Sequence, residues 1–141
     1  MKNMTIFLDT NIVIDYLQNR EPFVNYARSI FELCANGKIS ASISSQSIAD
    51  IFYILRKDYT VSERKNMLLN ICVIFNVVGA DKTIVMNALI NEDFNDLEDC
   101  IQSECANTAN AEYIITRNVE HFKFSAINPI LPEDFLKLLN E

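Results

Sequence analysis

Thr5-Ile6-Phe7-Leu8 is a short apolar run that stops abruptly at Asp9-Thr10-Asn11. A buried strand followed by helix-capping residues accounts for that order. The same alternation then recurs to the end of the chain. Ile12, Ile14 and Leu17, with Val13 and Tyr16, predict a short helix closing near Asn19. Pro22 stands where a first helical turn accepts it, and Phe23, Ala27, Ile30, Phe31 and Leu33 carry helical spacing up to Asn36-Gly37. Ile39 to Ile43 reads as a second strand, and Ser44, Ser45 and Ser47 are available to cap the helix marked by Ile48, Ile51, Phe52 and Leu55.

Val61 to Leu69 predicts a further helix, and Ile71 to Val78 a third strand ended by Gly79. Lys82 to Ile90 is helical again, and helical spacing resumes through Ile101, Cys105 and Ala109 after an acidic stretch. Ala111 to Ile115 is a fourth strand ending in Thr116-Arg117-Asn118. Ile127 to Leu131 is a short last strand, and Pro132 opens a terminal helix through Leu139. Strands alternating with helices predict an α/β sandwich, a mostly parallel sheet flanked by helices. With no repeat, low-complexity segment or linker, residues 1–141 read as one unit.

No stretch reaches the roughly 18 apolar residues of a membrane span. The lead-in Met1-Lys2-Asn3-Met4 is followed by too short an apolar run for a signal peptide, so a cytoplasmic protein is expected. Cys34, Cys72, Cys100 and Cys105 form no CxxC, and a single His leaves no His partner for a zinc site. Reduced, buried thiols are the simpler reading. The net charge of -7 taken alone opposes nucleic-acid binding, whose phosphate contacts Lys and Arg usually supply. Acidity either aids solubility alone or marks carboxylates that converge on divalent cations, which then meet phosphates.

Position decides between these. Ligands of parallel sheets collect beyond the carboxyl ends of the strands. Asp9-Thr10-Asn11 and Thr116-Arg117-Asn118 both follow strands. Asp9 is either a helix cap or a ligand. Asp50 lies in the apolar segment Ile48-Ala49-Asp50-Ile51-Phe52; it either faces water beside Gln46 and Ser47 or is paired or metal-bound. In the acidic run Glu92 to Asp99, Asp96 and Asp99 are one helical turn apart, with Asp99 nearer the packed side than Glu98. Such carboxylates near one sheet edge form a plausible hard-cation site.

The segments Phe7-Leu8-Asp9-Thr10-Asn11-Ile12, Ser44 to Lys57, Asp96 to Gln102 and Tyr113 to Asn118 together resemble PIN-domain proteins, and most of all the toxin ribonucleases of bacterial type II toxin–antitoxin pairs. The resemblance covers nearly the whole chain, in order. It implies an endoribonuclease that hydrolyses RNA phosphodiester bonds with Mg²⁺ or Mn²⁺ held by Asp9, Asp99, Asp50 and Asp96. Asp50 stands where the family usually has Glu, and Asn118 where it often has Asp. Asn11 and Thr116 would support the site, and Arg117 would meet the RNA backbone or pair with Glu120 or another acid. His121 occupies a place where the family often has an acid and reads as peripheral. The resemblance also implies a protein antitoxin and a homodimer, with the helices from Pro22 to Asn36 and Val61 to Leu69 as candidate interfaces.

Two other readings compete. A non-catalytic PIN-like RNA-binding or scaffold protein would keep the fold with a weakened acid set. An aspartyl-phosphate enzyme using Asp9 would want a second Asp two residues on, where this chain has Asn11.

Overall fold

A computed structural model describes residues 4–140, so the lead-in Met1-Lys2-Asn3 lies outside the described residues. Its order is β1 (Met4–Leu8), α1 (Thr10–Leu17), α2 (Val24–Ala35), β2 (Ile39–Ser44), α3 (Ser45–Ile54), α4 (Val61–Ile74), β3 (Asn76–Val78), α5 (Lys82–Ile90), α6 (Leu97–Thr108), β4 (Tyr113–Ile115), β5 (Asn128–Ile130) and α7 (Pro132–Leu139). The strands form a parallel sheet in the order β3-β2-β1-β4-β5.

Ile6, Phe7 and Leu8 make an unbroken apolar run in β1 because both faces of the central strand are covered there. Ile6 and Leu8 pack with Ile12, Ile30, Ile51 and Phe135 on one side; Phe7 packs with Ile84, Ile101, Cys105 and Phe122 on the other. Helices α5 and α6 thus cover one face, and α1, α2, α3, α4 and α7 the other. Phe7 is fully buried. Cutting it back to Ala would cost about 3–5 kcal/mol.

Helix ends follow local chemistry. Asn19 adopts a left-handed φ of 53° just past α1. Gly37, at φ 75°, closes α2 in a Schellman turn, with its N–H on Cys34 O and the Lys38 N–H on Leu33 O. Thr60 and Glu63 form a reciprocal capping box at the start of α4.

Two expected elements are corrected. Ile71 to Phe75 does not begin the third strand. Leu68, Ile71 and Phe75 are buried while Cys72 and Val73 are exposed, a helical period rather than an alternating one, so α4 runs to Ile74 and only Asn76–Val78 pairs with β2. Pro22 does not sit in the first turn of α2; it lies in a turn behind a cis Glu21–Pro22 bond, and the helix starts at Val24. The thiols are free as expected, but Cys72 is exposed where Cys34, Cys100 and Cys105 are buried. No helix among the described residues is long and apolar enough to cross a membrane.

Candidate active site

From β1 the chain winds outward through β2 and β3, then returns to lay β4 and β5 on the opposite side. The crevice beyond the carboxyl ends of β1 and β4 is therefore the switch point of the sheet. Leu8 is paired with Ile115, and the Asp9 N–H continues the ladder to Ile115 O at 3.0 Å. That register sets Asp9 directly beside Thr116.

Asp9 occupies the N-cap position of α1, yet its side chain makes no capping bond. The carboxylate turns to the crevice instead. Thr116 Oγ1 donates to Oδ2 at 2.8 Å, and Gln102 Nε2 donates to Oδ1 at 3.3 Å. Thr116 is fully buried, and its hydroxyl accepts the Asn118 N–H at 2.9 Å. Burial pushes the Asp9 carboxyl above its usual range, and the bonds from Thr116, the Thr10 backbone and Gln102, with the charge of His121, pull it partway back.

The second group of acids comes from α6. Asp96 is its N-cap and accepts the Asp99 N–H at 2.9 Å. Asp99, three residues on, shares the face of Asp96, and His121 Nδ1 stands 3.6 Å from its Oδ2. Burial raises the Asp99 carboxyl, the charge of Asp96 raises it further, His121 lowers it, and Asp9 raises it slightly again.

The third comes from α3. Ser44 caps that helix by accepting the Ser47 N–H, and Asp50 follows, half-buried. A hydrogen bond between Asp50 and Glu98 favours the protonated Glu98. With burial and the surrounding negative charges it pushes Glu98 up to about 7 from 4.5. Asp50 therefore does not face open water beside Gln46 and Ser47; Ser47 is itself buried, its hydroxyl 2.6 Å from Thr10 Oγ1.

Asp9, Asn11, Asp50, Asp96, Asp99 and Asn118 all line a single cavity of about 550 Å³, and His121 is in its wall too. Thr116 lies beneath it, behind Asp9. Arg117 is elsewhere. Its Nε lies 2.9 Å from Asp15 Oδ2 as an ion pair, its Nη2 donates to Oδ1 at 3.2 Å, and its guanidinium stacks 4.0 Å over Phe23. The partner acid is thus the buried Asp15 rather than Glu120, and the guanidinium is committed inside the fold instead of reaching toward a backbone.

Three residues of this neighbourhood escaped sequence reasoning. Gln102, only 4% exposed, bridges Asp9 and Thr10; its place one turn beyond Asp99 was the available signal. Glu98 is more exposed than Asp99, as the helical spacing predicts, yet it lines the cavity and meets Asp50, which the spacing alone does not show. Asp15 is the lone charge in the apolar helix of Ile12 to Leu17, the same pattern that drew attention to Asp50.

The donor set is composed of oxygens, as a hard divalent cation prefers. Burial raises both Asp9 and Asp99, and the Asp96 charge raises Asp99 further; a cation bound among them would favour their charged forms. Among the described residues, however, no three His, Cys, Asp or Glu groups are drawn tightly enough to hold a metal as they stand. Each acid is engaged by a partner of its own: Asp9 by Thr116 and Gln102, Asp96 by the helix end, Asp50 by Glu98.

No curated protein sequence matches the chain significantly. Solved structures do. A toxin–antitoxin complex from Klebsiella pneumoniae superposes with a TM-score of 0.68 at 23% identity, covering 90% of this chain and 97% of that one. DNA-bound VapBC from Salmonella typhimurium gives 0.67 at 18% identity, over 92% and 98%. Mycobacterium tuberculosis VapC20, described as a sarcin-ricin loop cleaving toxin, gives 0.60 at 11% identity, over 77% and 86%. At such identities the likeness is one of fold. The sequence itself matches the model of the PIN domain over residues 5–120, and the chain belongs to that family.

Proposed function

We propose that this PIN domain, acting as one unit over residues 1–141, is an endoribonuclease that hydrolyses RNA phosphodiester bonds with Mg²⁺ or Mn²⁺. The observation that carries the reading is the Asp9 carboxylate. It stands at a helix N-cap, is not used for capping, and faces a cavity it shares with Asp50, Asp96 and Asp99. Asp9 and Asp99 would hold the cation, with Asp50 and Asp96 beside them. A bound divalent cation would supply positive charge against the phosphate and a more acidic water.

The chain's own residues set the stage for that chemistry. Thr116 and Gln102 hold both oxygens of Asp9 in fixed directions. Asn118 keeps Thr116 turned toward Asp9 through its backbone and offers a neutral amide at the cavity edge. Several of the structures with this fold are complexes of toxin with antitoxin. We therefore read the chain as the toxin of such a pair, working in the cytoplasm and opposed by a protein antitoxin. Val61, Leu69 and Val73, apolar and exposed on α4, suit contact with a second copy in a homodimer.

The test is cleavage. Purified protein cuts structured RNA but not duplex DNA in Mn²⁺ or Mg²⁺, stops in EDTA, and loses activity in Asp9→Asn with the fold intact. Cleavage that survives Asp9→Asn overturns the assignment. Binding of metal and RNA without any cleavage favours a non-catalytic RNA-binding role.

A further inference from the structure

The cavity has a second wall. One turn beyond Asp50 on α3, Tyr53 and Ile54 face the same space, joined by Ile14 one turn into α1. Tyr53 is 62% exposed, unusual for an aromatic ring lining a concave site. One face of that ring is already covered: the Arg56 guanidinium lies 3.7 Å over its centroid, and Arg56 Nη1 donates to Tyr53 O at 2.9 Å. The stacked pair is assembled and held, and with 62% of the residue exposed the ring keeps an open face in the cavity that it lines.

The charge of the site makes that open face meaningful. The cavity wall carries five carboxylates, and its only basic side chain is His121. Arg117, the cation expected to meet the RNA, is bound to Asp15. Phosphate contacts, which dominate most nucleic-acid binding, are therefore scarce at this site. Unpaired RNA is also held by stacking its bases on aromatic rings and guanidinium planes, a mode that needs no net positive charge.

We propose that Tyr53, backed by Arg56, is a nucleobase-stacking subsite that takes an unpaired base next to the scissile phosphate. The inference rests on the ribonuclease reading above and names the part of the substrate held beside the acids. The arrangement favours RNA in which a base is free to leave its neighbours, such as a loop, over a regular helix. Stacking is blind to base identity, so the subsite positions the strand without reading sequence.

Two measurements test this. In cleavage assays on a single-stranded loop RNA, Tyr53→Ala raises KM on the order of tenfold to a hundredfold, the loss falling on KM rather than kcat. Tyr53→Phe, which keeps the ring, recovers most of the loss. An abasic residue placed in turn at each nucleotide flanking the cut weakens the wild type at one position, and Tyr53→Ala no longer senses that position. In binding assays with Asp9→Asn protein, 2-aminopurine at the same position is quenched when Tyr53 or Phe is present and not when Ala is. Normal cleavage by Tyr53→Ala, or equal abasic sensitivity in both proteins, overturns the subsite while leaving the nuclease reading standing. Quenching without any cleavage by the wild type does the reverse. Protein that neither cuts RNA nor quenches 2-aminopurine sinks both, and would fit a surface where Tyr53 meets another protein.

Discussion

Thr116 Oγ1 donates a hydrogen bond to Asp9 Oδ2 at 2.8 Å, and its direction is fixed because the Asn118 N–H already occupies the acceptor side of the same hydroxyl at 2.9 Å. The bond is buried and ends on a carboxylate, the setting in which a neutral donor contributes most. Thr116→Val keeps the shape and removes the donor. We expect a stability loss of about 1–3 kcal/mol in urea unfolding and a fall in cleavage of roughly 10–100-fold. The Asp9 carboxyl, already raised by burial, climbs further, so the acidic limb of the rate profile moves to higher pH.

Arg117→Met separates a buried ion pair from an RNA contact. Asp15 is 1% exposed, and burial raises its carboxyl while the Arg117 charge opposes the rise. Without Arg117 the buried acid keeps only the looser Arg20, whose Nη1 lies 3.9 Å from Oδ1, and the loss costs up to about 3–5 kcal/mol. Adding Asp15→Asn to the same protein restores much of the loss. A well-folded Arg117→Met whose RNA affinity drops and whose salt dependence flattens would instead make Arg117 a backbone contact.

Glu98 predicts how stability changes with pH when no divalent cation is present. Its folded-state value of about 7 lies above the ordinary 4.5, so the folded protein binds more protons than the unfolded chain between those limits. Stability from this group is full below 4.5 and declines as pH rises toward 7 and past it. Asp9, Asp15 and Asp99, raised as well, act in the same direction at the lower end. Thermal melts across that range show a decline, and Glu98→Gln flattens its upper part. A wild-type melting point that climbs from pH 5 to 7 contradicts the assignment.

Divalent metal reverses that decline. A ligand that binds only the folded state at a hundred times its Kd adds about 2.7 kcal/mol. Millimolar Mg²⁺ or Mn²⁺ raises the melting temperature of the wild type and does so much less for Asp99→Asn. Asn118→Asp, which adds a carboxylate at the cavity edge, lowers the metal concentration needed. Equal responses from wild type and Asp99→Asn place the ions outside this cavity.

The fold was legible because its signals are local. Short apolar runs and helical periods need no knowledge of the partner, and the two polar strand ends sat where parallel sheets bind ligands. The boundary near Ile71 was not legible, since a run of Ile, Val and Phe suits a strand by propensity and only packing against α2 and α3 reveals its helical period. The acids were found as residue types at suspicious positions, but their partners were not. Gln102 meets Asp9 across 93 residues of sequence, and Arg117 meets Asp15 across 102. An isolated Arg after a strand gives no sign of which acid it will choose.

Gln102 donates to Thr10 Oγ1 as well as to Asp9, Thr10 meets Ser47, and Ser47 meets Ser44 at the end of β2. This chain of uncharged groups ties the start of α1 to the start of α3, the helix that carries Asp50. The links from Gln102 to Thr10, from Thr10 to Ser47 and from Ser47 to Ser44 join only non-ionisable groups, so they persist when a carboxyl gains or loses a proton. The spacing between the starts of the two helices that carry Asp9 and Asp50 is thus held by parts that do not titrate, and cations can come and go without that frame having to be rebuilt each time.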